Sequence, residues 1–103
     1  MRHSYAKEKF AAAVETMANS TGDIKSRLWG AFLIFHTLTE KDFPDELKEY
    51  WNSIYNDLTR EEPSYDKNGE VTEGKVQNTL KVIDETKCAE IARKITELNA
   101  FLK

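Results

Sequence analysis

The sequence predicts an all-α fold, a compact bundle of about four to five helices packed around a central apolar helix at residues 23–38. Three observations carry that expectation. Each long stretch with a clear hydrophobic repeat follows the helical period of about 3.6 residues, not the strand period of about two. One stretch, Leu28-Trp29-Gly30-Ala31-Phe32-Leu33-Ile34-Phe35-His36-Thr37-Leu38, is apolar around most of its circumference. The breaks between periodic stretches are made of capping residues, glycine and proline.

With Ile24 set at zero and about 100° per residue, Ile34, Leu38, Ala31, Ile24, Phe35, Leu28 and Phe32 spread from roughly 280° round to roughly 80°. Trp29 and Leu33 add roughly 140° and 180°, leaving Ser26, Thr37 and Gly30 as a narrow non-apolar strip. This predicts contact on several sides, with Trp29 and Leu33 covered inside the monomer by the first and last helices. The run is too short for a bilayer, which needs about 20 apolar residues, and Arg27 and His36 lie within or beside it. No membrane span is expected.

A chain of 103 residues fits one domain, large enough to bury a core without metals or disulfides. Cys88 is the sole cysteine, which favours a reducing compartment, and the first residues carry no signal-peptide-like apolar run, so a cytoplasmic location is expected. Charge is unevenly placed. Residues 1–39 hold five bases and three acids, residues 40–70 four bases and ten acids, and residues 71–103 six bases and five acids, for a net −3. The acidic middle repels phosphate backbones, so nucleic acid is not an expected partner. It reads as a solvated helix face and loop, or more sharply as a docking surface for a basic partner.

In chain order, the first helix runs from about Ser4 to Ala18, with Ala6, Phe10, Ala13, Val14 and Met17 on one side and Glu8, Lys9, Glu15 and Thr16 on the other. Asn19-Ser20-Thr21-Gly22 stops it. Ser20 or Thr21 is expected to cap the central helix, with Asp23 in its first turn opposing the positive end. Gly30 costs about 1 kcal/mol relative to alanine in mid-helix, which points to a close crossing within the monomer or a groove for self-association.

Thr39-Glu40-Lys41-Asp42-Phe43-Pro44-Asp45-Glu46-Leu47 reads as a helix start at Pro44, with Asp45 and Glu46 complementing the dipole and Phe43 packing back as a staple. The third helix places Leu47, Tyr50, Trp51, Ile54, Tyr55 and Leu58 on one arc, expected to pack flat on the central helix. Residues 60–71 read as a surface loop. Asn68-Gly69 could close a small hairpin, but one that short is marginal alone. A calcium loop with glycine at its sixth position would start at Ser64 and end at Lys75 instead of glutamate, which rejects calcium. Thr72 is expected to cap a short fourth helix with Val76, Leu80 and Ile83, and Asp84 to cap a last one from Glu85 to Leu102. In that last helix Cys88, Ile91, Ile95, Leu98 and Leu102 form the apolar stripe, and Asn99 lies beside them. Leu28, Phe35, Leu47, Trp51, Ile54, Leu58, Ile91 and Ile95 are expected in one core.

Chemistry-bearing residues are sparse. His3, His36 and Cys88 make neither paired histidines nor a Cys-x-x-Cys, and residue 33, three before His36, is leucine, so no Glu-x-x-His pair exists there. No metal or cofactor is expected. His36 and Glu40 read as helix-end electrostatics, Cys88 as core packing, and Asp45 with Glu49 as an exposed pair. Arg27 projects among apolar neighbours and must either snorkel or meet a carboxylate, Asp57 or Asp42.

Arg27-Leu28 with Ala31, then Asp42-Phe43-Pro44-Asp45-Glu46-Leu47, a loop and a C-terminal amphipathic helix, resembles a pattern in small uncharacterised bacterial helical proteins of about this length. The resemblance spans residues 24 to 102 loosely and implies a helical fold and a bacterial cytoplasmic setting, with no active site to carry over. The function expected from all this is a small protein-binding module of inhibitor, immunity or regulatory type, without catalytic activity. It would bind through the aromatic surface around Trp29 and Trp51 or the acidic strip, with Trp29, Leu33, Arg27, Tyr50, Tyr55, Glu46 and Glu49 as candidate partner-binding residues. The alternative is a self-associating structural bundle, with a small enzyme third.

Overall fold

The computed structural model describes residues 2–103. Their helices are α1 (Arg2–Asn19), α2 (Ile24–Phe35), α3 (Lys48–Leu58), α4 (Lys75–Val82) and α5 (Glu85–Leu102). Two short strands, β1 (Ser64–Tyr65) and β2 (Val71–Glu73), lie between α3 and α4. The fold is the predicted all-α bundle. Helix α1 runs antiparallel to α2, with Thr16 beside Gly30 and Tyr5 reaching Thr37. Helix α5 closes the bundle against α1, α2 and α3, while α4 bridges α2 and α3.

Capping chemistry sets the boundaries. Asp23, not Ser20 or Thr21, is the N-cap of α2, its Oδ1 accepting the Ser26 N–H at 2.9 Å. Ser20 is engaged elsewhere, its hydroxyl donating to the Thr16 carbonyl at the end of α1. Helix α2 ends at Phe35, short of the expected Leu38: the Leu38 N–H turns back to the Phe35 carbonyl at 3.0 Å, and a new turn follows in which Asp42 Oδ2 accepts the Thr39 N–H at 2.8 Å. Pro44 is extended, with ψ 153°, and stands just outside a 3-10 turn at Asp45–Leu47; the α-helix proper starts at Lys48. Asp84 caps α5 as expected, accepting the Lys87 N–H at 2.8 Å.

Part of the 60–71 segment expected to be loop is a ladder, with Ser64 opposite Glu73 and Tyr65 opposite Val71. Gly69 sits at φ 80°, a conformation that favours glycine at this turn. Asp66 Oδ1 accepts the N–H groups of Asn68 and Glu70. A ladder this small needs tertiary support, and α4 supplies it. Asn78 Nδ2 donates to the Glu62 carbonyl and to Ser64 Oγ, and the buried Thr79 hydroxyl accepts the Glu61 N–H at 3.1 Å. Thr72 lies in β2 and caps nothing; α4 starts after Gly74, whose N–H is accepted by Gln77 Oε1 at 2.7 Å.

The core includes all eight residues expected there. Its centre is aromatic: Phe10 stacks on Phe35 at 4.9 Å, Phe43 stacks on Trp51 at 5.1 Å, and Phe35 meets Trp51 edge-on at 5.7 Å. Helix α3 packs its backbone mainly against α5 and α4, not flat on α2, and reaches α2 through Trp51. Asp57 on α3 is a polar clasp to α5, pairing with Lys94 at 2.8 Å and Lys87 at 3.3 Å. Asn99 is buried within α5, and its Oδ1 has no hydrogen-bond partner among the described residues.

The expectation that α2 is covered on nearly every side fails. Leu28, Ala31 and Phe35 are buried, but Leu33 is 50% exposed and Ser26 is open to solvent. Helix α1 covers the Gly30 flank and the short α4 covers part of the Trp29 flank, which leaves an outer stripe between them. A Cβ built on Gly30 would meet Thr16 Cγ2 at 3.4 Å, so this glycine faces a close helix crossing within the monomer.

Candidate functional site

The surface feature that stands out is a line of three clefts beside α2, joined by shared residues. The first, about 380 Å³, is lined by Lys25, Ser26, Trp29, Gln77, Leu80 and Lys81, with Glu73 at its edge. The second, about 300 Å³, lies between Trp29, Phe32, Tyr55, Thr59 and the α4 residues Lys75, Val76 and Gln77, with Gly74 at its margin. The third, about 430 Å³, is bounded by Tyr55, Trp51, Asn52, His36 and Glu40, with Thr37, Leu38 and Thr39 completing it. Trp29 belongs to the first two and Tyr55 to the last two, so together they form one groove along α2.

The sequence builds its floor in a simple way. Trp29, Phe32 and His36 stand at helical spacings of three and four on one flank of α2. Their rings touch in series, Trp29 to Phe32 at 5.9 Å and Phe32 to His36 at 5.7 Å. Phe32 also meets the buried Phe35 edge-on at 5.9 Å, which ties the groove to the core. From the opposite wall, Tyr55 leans on Trp51 at 5.6 Å and is held the same way. These aromatic side chains are supported from beneath, so the floor is preformed.

Charge is graded along the groove. Lys25 and Lys81 line the first cleft, where Lys81 is paired with Glu73 and Lys25 Nζ makes a long contact of 3.5 Å with the Lys81 carbonyl, and Lys75 lines the middle cleft. Neither Lys25 nor Lys75 has a carboxylate within ion-pair distance among the described residues. Asp23 is near Lys25, but its carboxylate is committed to the helix cap, and the Ser26 N–H holds its pKa below the usual range. At the other end Glu40 accepts from Asn52 Nδ2 at 3.0 Å.

The candidate residues read from sequence divide among separate faces. Trp29 and Tyr55, from different helices, meet in the groove. Leu33 lies outside the groove lining, on the outer stripe of α2. Tyr50 lies on the other flank of α3, its ring 5.2 Å from that of the exposed Phe101 and beside Glu49, Ser53, Arg93, Lys94 and Glu97. Glu46 and Glu49 are exposed. Arg27 meets neither Asp57 nor Asp42; its Nε donates to the Gly22 carbonyl at 2.8 Å, while Asp57 is held by two lysines and Asp42 caps Thr39. It snorkels off the first turn. Trp51 is only 3% exposed and belongs to the core, so it does not provide the aromatic surface expected of it.

Phe32, Lys25 and the α4 residues Val76 and Gln77 were not singled out as site residues from sequence. The available signal was surplus apolar area on α2: Phe32 stands at the edge of the main apolar arc and Trp29 beyond it. Cys88 is fully buried, and burial pushes its thiol pKa up, away from the thiolate a nucleophile needs. Among the described residues no group of three or more His, Cys, Asp and Glu side chains could hold a metal ion, and no helix is long and apolar enough to cross a membrane. No family model matches the chain, and neither a curated protein nor a solved structure matches it.

Proposed function

We propose that this chain is a non-catalytic protein-binding module that engages its partner through the α2 groove. The observation that carries the reading is the Trp29–Phe32–Tyr55 lining of the groove, three aromatic side chains from two helices kept on the surface and braced by the core. Buried aromatic anchors with a polar rim are the usual energetic centre of protein interfaces. Open, connected clefts accommodate side chains of a peptide segment better than they enclose a small molecule, whose sites bury most of the ligand. A reducing, cytoplasmic setting belongs to the proposal, supported by the single, unbridged Cys88.

The test is site-directed photo-crosslinking in a lysate of the source organism. A photoreactive residue replacing Gln77 in the groove should capture a partner that one replacing Glu97, on the Tyr50 face, does not. Equal capture at both positions, or none at Gln77, refutes the assignment of the binding surface.

A further inference from the structure

The groove is not electrically uniform, and its polarity says what kind of segment fits. Two lysines, Lys25 in the first cleft and Lys75 among the aromatic and aliphatic side chains of the middle one, have no carboxylate within ion-pair distance among the described residues, and the far end carries Glu40. The twelve residues of α2 beside the groove span roughly 18 Å, the length of about five to six extended residues. We propose that the groove takes an acidic, apolar peptide segment of a partner protein. Its carboxylates lie at Lys25 in the first cleft and at Lys75 in the middle one, away from Glu40, and its apolar side chains lie on Trp29, Phe32 and Tyr55. This rests on the protein-binding reading above and adds the partner's chemistry and direction to it.

Three features support that occupant over others. Lys25 lies beside the Trp29 indole in the first cleft, so a carboxylate meeting its ammonium there has an apolar surface next to it for the adjoining side chain. A basic segment in the same direction would place its charge against Lys25 and Lys75, and like charges brought together select against a wrong partner. Leu80 with Trp29 in the first cleft, and Val76 with Trp29 and Phe32 in the middle one, offer contact to aliphatic or aromatic side chains.

The probe is a phage-displayed library of random dodecapeptides, selected in parallel on the wild-type chain, on Trp29→Ala and on Lys25→Glu. Circular dichroism and a melting curve verify that each variant is folded. The expected outcome is a set of wild-type clones rich in Asp or Glu beside Leu, Phe or Trp. Their affinity should fall by about five- to tenfold on Lys25→Glu and weaken with added salt. Lys25→Glu should itself select clones with Lys or Arg in place of the acids. Clones that depend on Trp29 but bind wild-type and Lys25→Glu equally overturn the charge inference and leave the groove standing. No enrichment on wild-type over Trp29→Ala overturns the groove as well. A wild-type dimer in sedimentation velocity that becomes monomeric in Trp29→Ala would assign the groove to a second copy of this chain, and so would overturn the proposal.

Discussion

Replacing Phe35 with alanine should cost this protein a large share of its stability. The ring is fully buried, stacks on Phe10 at 4.9 Å with an interplanar angle of 9°, and meets Phe32 and Trp51 edge-on at 5.9 and 5.7 Å. Truncating such a side chain to alanine costs about 3–5 kcal/mol, the lost transfer energy plus the cavity left in a core that relaxes only in part. Domains of this kind are stable by about 5–15 kcal/mol in total. With a urea slope of about 1–3 kcal/mol per molar, the unfolding midpoint should fall by about 2 M. Urea titration followed by tryptophan fluorescence reports the change directly, because Trp51 borders the cavity, and far-ultraviolet dichroism gives an independent second curve. The double variant with Phe10→Ala should show a coupling of about 1 kcal/mol, since the stacked pair is lost once and not twice. A loss below about 1 kcal/mol for Phe35→Ala would place the ring at the periphery and refute the aromatic core described here.

Leu33→Asp tests the open stripe of α2: at 50% exposure the new charge stays hydrated, so stability should change by no more than about 0.5 kcal/mol, and a loss several times larger in thermal melts would mean the stripe is covered. Gly30→Ala should stabilise α2 by about 0.5–1 kcal/mol, because the added methyl meets Thr16 Cγ2 at ordinary contact distance while the helix gains a better former; a lowered Tm would mean that α1 crosses too closely for it. Lys87 and Glu90 give the pH dependence. A hydrogen bond from Lys87 holds the Glu90 carboxyl below its usual 4.5, so its contribution is present above that value and is lost as pH falls through the folded-state pKa. The same bond, with Asp57 nearby, raises the Lys87 pKa above 10.5, so that contribution is present below 10.5 and lost as pH rises through the raised value. Glu90→Gln should therefore flatten part of the acid limb of a stability–pH curve, leaving the portions due to Asp23 and Asp45, whose pKa values are also lowered; an unchanged acid limb would show that the pair is not formed in solution.

Much of this architecture was legible along the chain because its causes are local. Helical periodicity in α1, α3 and α5 follows from residues three and four apart, and the Asp84 cap from a carboxylate placed three residues before the N–H it accepts. The eight core positions could be read for the same reason, since a residue on an apolar stripe is buried by whichever neighbour covers the stripe. Where two local signals competed, the sequence was ambiguous. Ser20, Thr21 and Asp23 are all competent caps for α2, and the choice of Asp23 follows once Ser20 Oγ is spent on the Thr16 carbonyl. Thr72 was drawn away from α4 by the β1–β2 ladder, which persists because Asn78 and Thr79 hold the chain before it from another element.

The groove belongs to the second kind of information. Trp29 and Tyr55 are separated by 26 positions in the sequence, and no periodicity relates them. They meet because α4 is only eight residues long and lies across one flank of α2, leaving the space between α2 and α3 open at the surface. Tyr50 and Tyr55 looked equivalent on the apolar arc of α3, yet the packing of α5 on one flank sends Tyr50 to Phe101 and Tyr55 to the groove. Arg27 was legible as a residue needing a polar partner, but the partner is the Gly22 carbonyl of the preceding turn, while Asp57 pairs with Lys87 and Lys94 of α5. Periodicity shows which side chains must leave water; which exposed ones share a face depends on helix lengths and crossings, which long-range contacts alone establish.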